Sequence, residues 1–537
     1  MRTWINHLVP LTCSLVLSAG CSGDSDTAAS ADVSVPDATV TDATRSTGAE
    51  LPEGVEPVAL TVDTTAPLTT VDRRYLSLAI DASQVVGGYW WSEADGVTQG
   101  LGSERADPFD FTRPRLRAMA QALAPAYLRI GGTEADKLYY DFGDNPPDEP
   151  EAPFEFTLTA AQWASLNDFT AAVGYDLMFT LNAGPGTRDE HDAWTPDMAR
   201  VLLEHAKSRG DQVAVWELGN EINGYPALHM GLRVDGPMYA ADVAVARALI
   251  DEVDPQSLLA GPSSAFWPKR GELLPIMPEF MAAGGAALDL VTWHYYPQQS
   301  YRCPLASRRA GEDVLLVPEH LAEIDIWAEE VEGLTTEHAP EARVWLGETG
   351  NAQCGGEPGV SNTFVSGFWW LDQLGRMARR GQQVMVRQTL SGSEYGLLKD
   401  ADLSPRPDFW TSVLFKRLMG PEVLQVQVPE TPTLQVYAHC TPNAPGSVTF
   451  AWVNVDETRT FRLVGPEGLE ADATLQMYVL SAPSLASPTV QLNGTELKWP
   501  DDNSVPALSP VTGSADLPPR TYGFAVWPEA NAAACQE

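Results

Sequence analysis

The chain has 537 residues, 44% hydrophobic and 20% charged, enough apolar material for a large core plus a smaller domain, which excludes an intrinsically disordered protein. Its formal charge of -38 repels nucleic acid and strongly sulfated polysaccharide at long range. No dense basic block offsets it, because Lys269-Arg270, Arg308-Arg309 and Arg379-Arg380 are isolated pairs.

In chain order, residues 8–19 form an apolar stretch behind Arg2, too short to span a bilayer comfortably, followed by Gly20-Cys21. Small residues before a cysteine resemble a bacterial lipoprotein signal. That resemblance makes residues 1–21 a leader and Cys21 the lipidated N-terminus, so the lipid is the expected membrane attachment. Ser22 in place of an acidic residue points to the outer membrane or cell surface. The alternative is an ordinary secretory leader cleaved nearby. Residues 22–57 are Ala, Asp, Ser, Thr, Val and Pro with almost no aromatic content, and are expected to be a flexible tether. The folded protein is expected to begin near Val58, with 58–75 adding strands to a β domain further along.

The middle of the chain alternates short apolar runs with longer helix-patterned segments. Eight strands are expected, at 76–81, 126–132, 176–183, 213–221, 258–263, 288–296, 343–349 and 383–390. Between them Thr159 opens a Thr-x-x-Gln capping box, and residues 363–379 place Phe364, Phe368, Leu371, Leu374 and Ala378 on one helical stripe. Eight strands alternating with helices predict a (β/α)8 TIM barrel over 76–420. Beyond it, β-rich runs at 433–439, 447–454 and 523–527 between Pro/Gly/Asn turns predict a β-sandwich over 421–537.

Two of the strands end in glutamate: Val215-Trp216-Glu217-Leu218-Gly219-Asn220-Glu221 and Val344-Trp345-Leu346-Gly347-Glu348. Strands four and seven face each other across a barrel mouth, where barrel active sites lie. Two carboxyl groups about 5 Å apart are what glycoside hydrolysis with retention requires, one as acid/base and one as nucleophile. Glu221 is expected to be the acid/base and Glu348 the nucleophile, with Tyr296 hydrogen-bonded to Glu348 and His294 orienting Tyr296 or filling the barrel top. The duller alternative for the pair is a structural salt bridge. Trp216 and Trp345 are expected to be core, and Tyr89-Trp90-Trp91 a stacking surface for sugar. The eight His are scattered, and neither a Cys-x-x-Cys pair nor a His-Glu-x-x-His helix occurs, so no metal or other cofactor is expected.

The chain resembles glycoside hydrolase family 79 of clan A, the heparanase and β-glucuronidase family. The matching motifs are Leu76-Ser77-Leu78-Ala79-Ile80-Asp81, Tyr127-Leu128-Arg129-Ile130-Gly131-Gly132-Thr133, the run from Trp216 to Glu221, Val291-Thr292-Trp293-His294 and the stretch 344–418. The resemblance implies a β-glucuronidase whose proton donor is Glu221 and nucleophile Glu348, with Asn220 on the sugar 2-hydroxyl and Asp81 and Thr133 on ring hydroxyls. The uronate carboxylate would be held by Tyr395 and by backbone amides at Gly355-Gly356. Cys354 and Gln353 depart from the family pattern there, which alters that pocket. Residues 141–153 are a short acidic connection where animal members carry an excised linker, so no proteolytic activation is expected. Basic heparin-binding segments are not evident either, which favours a less sulfated glucuronide or an exo-acting enzyme. A related arabinofuranosidase or xylosidase, or a non-catalytic glycan-binding lipoprotein, are the alternatives. The oligomeric state cannot be read from the chain.

Beyond Cys21 four cysteines remain, and their even count suits two disulfides, or one plus two thiols. The resemblance implies a bridge between Cys440 and Cys535. Cys303 and Cys354 follow neighbouring strands six and seven, where they either bridge and stiffen the cleft or stay as buried thiols.

Overall fold

The structure is a computed structural model that describes residues 51–91, 104–229, 231–465 and 474–536. The leader, with Cys21, and most of the expected tether lie outside the described residues. No helix among the described residues is long and apolar enough to cross a membrane.

Eight strands form the first domain's sheet: β1 Leu76–Asp81, β2 Ala126–Gly131, β3 Tyr175–Leu181, β4 Val213–Leu218, β5 Leu258–Trp267, β6 Leu290–Tyr295, β7 Arg343–Thr349 and β8 Val384–Arg387. Each pairs in parallel with its neighbours, β8 returns to β1, and β4 pairs with β5, so the sheet closes on itself as a (β/α)8 barrel. The strand interiors read as unbroken apolar runs because helices cover the outside and side chains fill the inside.

Two of the eight strands keep their expected limits, and the others shift by a few residues at one or both ends. Strand β4 stops at Leu218, not Glu221, because Gly219 (φ 73°) and Glu221 (φ 52°) take left-handed backbone conformations that no ladder accommodates. Strand β5 runs on to Trp267, where a short antiparallel pairing with Gly271–Glu272 prolongs it.

Inside the barrel, side chains stack in layers. Ala79, Tyr127, Met178, Val215, Ala260, Leu290, Trp345 and Val384, one from each strand, form an apolar floor together with Val386. Two residues further along, alternation brings Arg129, Thr180, Glu217 and Thr292 inward as a polar layer. The catalytic candidates lie above that. Glu348 reaches the interior only through a register shift: Trp293 pairs with Leu346 but His294 with Glu348, so Gly347 is an extra residue. The bulge reverses the alternation, turning Glu348 in while Thr349 bonds outward to Gln373 of the surrounding helix.

Among the outer helices, Ala160–Val173 carries the expected capping box from Thr159 and Gln162. The helix Val365–Arg380 is buried along nearly its whole length, because it lies between the barrel and the second domain. A Cβ at Gly375 would meet the Tyr437 ring at 2.2 Å, so only glycine lets that helix approach the sheet so closely.

The second domain packs two sheets. The larger includes Leu434–Cys440, Val448–Asn454, Leu475–Ser481 and Thr521–Trp527, and on its inner face Val436, Phe450, Trp452 and Trp527 meet Phe461 and Leu463 of the smaller sheet. Its other face, with Tyr437 and Phe524, joins the barrel core. The N-terminal segment supplies strands here: Val55–Ala59 pairs with Thr460–Val464 and Thr69–Thr70 with Glu422–Leu424. The limit drawn at residues 57 and 58 therefore cuts a strand. Val55, Glu56 and Pro57 lack the apolar pattern of a buried strand because this strand is largely exposed.

Both pairs of cysteines are disulfide-bonded, Cys440 to Cys535 and Cys303 to Cys354. The first closes a loop spanning 95 residues. Its removal in a Cys440→Ser/Cys535→Ser variant is expected to cost roughly 3 to 5 kcal/mol, read as a lower urea midpoint. An unchanged midpoint would mean that the larger sheet needs no covalent tie.

Candidate active site

A cavity of about 340 Å³ opens at the C-terminal ends of the strands, lined by Asp81, Thr133, Asn220, Glu221, Tyr296, Glu348 and Tyr395 among others. Ligand oxygens of Glu221 and Glu348 and a ring nitrogen of His294 all lie within 4.8 Å of one another. The two carboxyl groups are therefore as close as the strand-tip reasoning expects.

Their surroundings differ. Glu348 is buried, and both of its oxygens are engaged: Oε1 accepts the Tyr296 hydroxyl at 2.7 Å and Oε2 accepts Arg129 Nη1 at 2.8 Å. Burial alone would raise its pKa, but the charges of His294 and Arg129 and these hydrogen bonds outweigh it, and the carboxyl is held below the usual range. Glu221 is more open, and its Oε1 lies 3.2 Å from His294 Nδ1. His294 is buried at the barrel top, the second of its two expected places, and bonds to Glu221 because the ring of this inward-facing residue reaches across to the tip of β4.

Beneath the pair, Arg129 acts as a three-way clamp. Its Nε donates to Glu217 at 2.8 Å, Nη1 to Glu348, and Nη2 to Asn220 Oδ1 at 2.8 Å. Glu217, wholly buried, also accepts the hydroxyls of Thr180 and Thr292 at 2.8 and 2.9 Å. Burial pushes its pKa up, yet Arg129, His294 and the hydroxyl donors bring it below the ordinary value.

Around the rim, Asp81 caps a short helix, and its Oδ1 accepts from the Ser83 amide and hydroxyl. Burial, then the charges of Glu134 and Glu348, hold its carboxyl well above the usual range. Trp90, Tyr296 and Tyr395 form an aromatic cluster with Trp91 against it, while Tyr89 is exposed at the mouth. Trp216 and Trp345 are core, as expected. Gly355 and Gly356 are not part of the cavity wall, which is formed there by Gln353 and Cys354. The two glycines lie directly behind, against Trp91 and the Tyr395 backbone, because the Cys303 bridge draws the turn to the loop after β6. Four carboxyl residues line the cavity, Asp81, Glu134, Glu221 and Glu348; its one cation among the described lining residues, Lys137, is paired with Glu134 at 3.8 Å and Glu155 at 3.3 Å. Glu221, His294 and Glu348 also have the ligand spacing of a metal site, but Tyr296 and Arg129 already donate to Glu348, leaving it poorly placed to bind a cation.

Residues 58–375 match the family model described as glycosyl hydrolase family 79, N-terminal domain. The chain belongs to glycosyl hydrolase family 79. This family 79 chain is a glycoside hydrolase similar to heparanase of Mus musculus, 33% identical over 545 aligned residues that span 90% of this chain and 96% of that one. It is also 27% identical to the inactive heparanase-2 of the same species, over 89% of this chain and 90% of that one. Among solved structures, the GH51 arabinofuranosidase from Xanthomonas axonopodis pv. citri superposes with a TM-score of 0.61 at 15% identity, covering 88% of this chain and 99% of that chain, a likeness of fold.

Arg129, Glu217 and Asp136 were not singled out from the family 79 sequence as site residues. A charge inside an apolar strand, at inward parity with the floor layer, is the signal that marks Arg129 and Glu217. Asp136 sits in a turn and carries no such mark.

Proposed function

We propose that the protein is a retaining β-glucuronidase acting on glucuronides of low sulfation. The observation that carries the reading is the asymmetry of the close pair: Glu348 is clamped by the Arg129 guanidinium and the Tyr296 hydroxyl, whereas Glu221 faces the cavity with His294 against one of its oxygens. A Glu348 oxygen attacks the anomeric carbon as the Glu221 proton passes to the departing glycosidic oxygen. Glu221 then takes a proton from water, whose oxygen attacks the same carbon and releases Glu348. Asn220 faces the 2-hydroxyl, a contact that strengthens as charge develops on the ring. Asp81 and Thr133 take ring hydroxyls, and the uronate carboxylate meets neutral donors from Tyr395 and from Gln353 and Cys354, which wall the cavity there.

The balance of charge in the cavity supports low sulfation, since its lysine is already neutralised and its other charged lining residues are carboxyl groups. The leader supports export, with lipidation at Cys21 and attachment to the outer membrane or cell surface. The test is product analysis on an aryl β-glucuronide, hyaluronan and desulfated heparosan, beside aryl arabinoside and xyloside. Release from the glucuronide with β-configured product is expected. Faster release from the arabinoside or xyloside, or an inverted product, would overturn the reading.

A further inference from the structure

Asp136 lies in the short turn Thr133–Lys137 that follows β2. Its neighbours Thr133, Glu134 and Lys137 line the cavity, yet Asp136 itself points away from it and is 1% exposed. Its Oδ1 accepts the Ala183 amide at 2.9 Å, just past β3, and its Oδ2 accepts the Asn220 amide at 3.0 Å, just past β4. One carboxyl group therefore ties together the tips of three adjacent barrel strands, and its bond to the Asn220 amide holds the Gly219–Asn220 peptide, which leads into Glu221.

That peptide needs holding. Glu221 has φ 52° and ψ 54°, a left-handed conformation that strains a side-chain-bearing residue and persists only where its surroundings over-determine it. The Glu221 amide donates to the Ser263 carbonyl at 3.1 Å and its carbonyl accepts from the Gly224 amide at 2.7 Å, which grips the residue at both of its peptides. One residue earlier the grip is Asp136 on the Asn220 amide, with Arg129 and Gly132 on the Asn220 side chain. Burial raises the Asp136 carboxyl to about 7 even against two amide donors, the Tyr225 hydroxyl and the Arg188 charge, so the group is retained at a cost. His229, 3.7 Å away, is itself lowered to about 4 by burial and Lys137, and so stands beside it as a neutral ring.

We propose that Asp136 is a positioning residue for proton transfer, setting the backbone at Asn220 so that the Glu221 carboxyl meets the glycosidic oxygen. The proposal rests on the reading of Glu221 as acid/base. Asparagine at position 136 would present an NH2 group to one of two amide donors, releasing one strand tip. A displacement of about 1 Å at a reacting group is enough to cost roughly 100-fold.

The experiment compares Asp136→Asn, Asp136→Glu and Glu221→Ala on two substrates, phenyl β-glucuronide, whose leaving group needs a proton, and 2,4-dinitrophenyl β-glucuronide, whose leaving group does not. In both Asp136 variants kcat/KM on the phenyl substrate should fall about 100-fold, through kcat more than KM, while the loss on the dinitrophenyl substrate stays below about fivefold. Equal losses on both substrates, or no loss on either, would overturn the proposal. If the Asn variant does not fold, the Glu variant, which keeps the charge but moves it by one methylene, decides alone. Should Glu221→Ala lose both substrates equally, the acid/base assignment itself fails; a split there with none in the Asp136 variants removes only the role of Asp136.

Discussion

Replacing Glu348 with Gln is expected to lower kcat on an aryl β-glucuronide by about 10⁵-fold, because the attacking oxygen is exchanged for a group that forms no glycosyl-enzyme. Binding should survive, since Gln keeps the size of the side chain, its one oxygen still accepts from the Arg129 guanidinium, and its NH2 group donates to the Tyr296 hydroxyl oxygen, the two partners that now lie at 2.8 and 2.7 Å. Calorimetric titration of the variant with the intact glucuronide should therefore give a Kd near the wild-type KM. A Glu348→Ala variant supplied with azide should form the α-glucuronosyl azide, through attack from the vacated face. Product formation at the wild-type rate would remove the nucleophile from this position.

Arg129→Met should give the second large effect, and on two readouts at once. The side chain is wholly buried between two carboxylates, Glu217 and Glu348, and removing it leaves both charges without their cation. Breaking a buried pair of this kind costs about 3 to 5 kcal/mol, so the urea midpoint should drop accordingly. The activity effect has a defined direction in pH. In the wild type the Glu348 carboxyl is held below its ordinary 4.5, so its stabilisation is present above that value and is lost only as pH falls through the lower folded value. The acid limb of kcat/KM should accordingly lie below about 4.5. In the variant, the His294 charge and the Tyr296 hydroxyl oppose burial without the Arg129 charge and hydrogen bond, the Glu348 pKa rises, and the acid limb moves upward, with kcat down roughly 10² to 10³-fold at its optimum. An acid limb that stays in place would show that Tyr296 and His294 hold the charge without Arg129.

Much of this site is legible along the chain, but unevenly. The dipeptide Asn220-Glu221 and the run ending at Glu348 are visible because each closes an apolar strand, a local pattern. The Tyr296 bond to Glu348 was accessible by the same reasoning, since neighbouring strand tips place their residues side by side. Arg129 and Glu217 were harder, because each lies within a motif whose end residues draw attention, and their meeting is a contact between residues 88 positions apart. The bond from His294 to Glu221 was not anticipated for the same reason: which side chain a ring meets across a barrel depends on register, and register is not written in either strand alone. Gly355-Gly356 show the limit from the other side. Their place behind the cavity wall follows from the bond between Cys303 and Cys354, whose pairing the sequence left open.

By itself the sequence determined the eight-strand alternation, the β domain after it, the two acidic strand tips and the four-cysteine inventory, because period, composition and turn chemistry act over a few residues. Only the tertiary structure decided the unlike surroundings of the two carboxyl groups, Glu348 between Arg129 and Tyr296 and Glu221 beside His294. That distinction depends on a bulge at Gly347, a left-handed Glu221 and a buried Arg129, all imposed when distant strands close into one ring and share a dry interior.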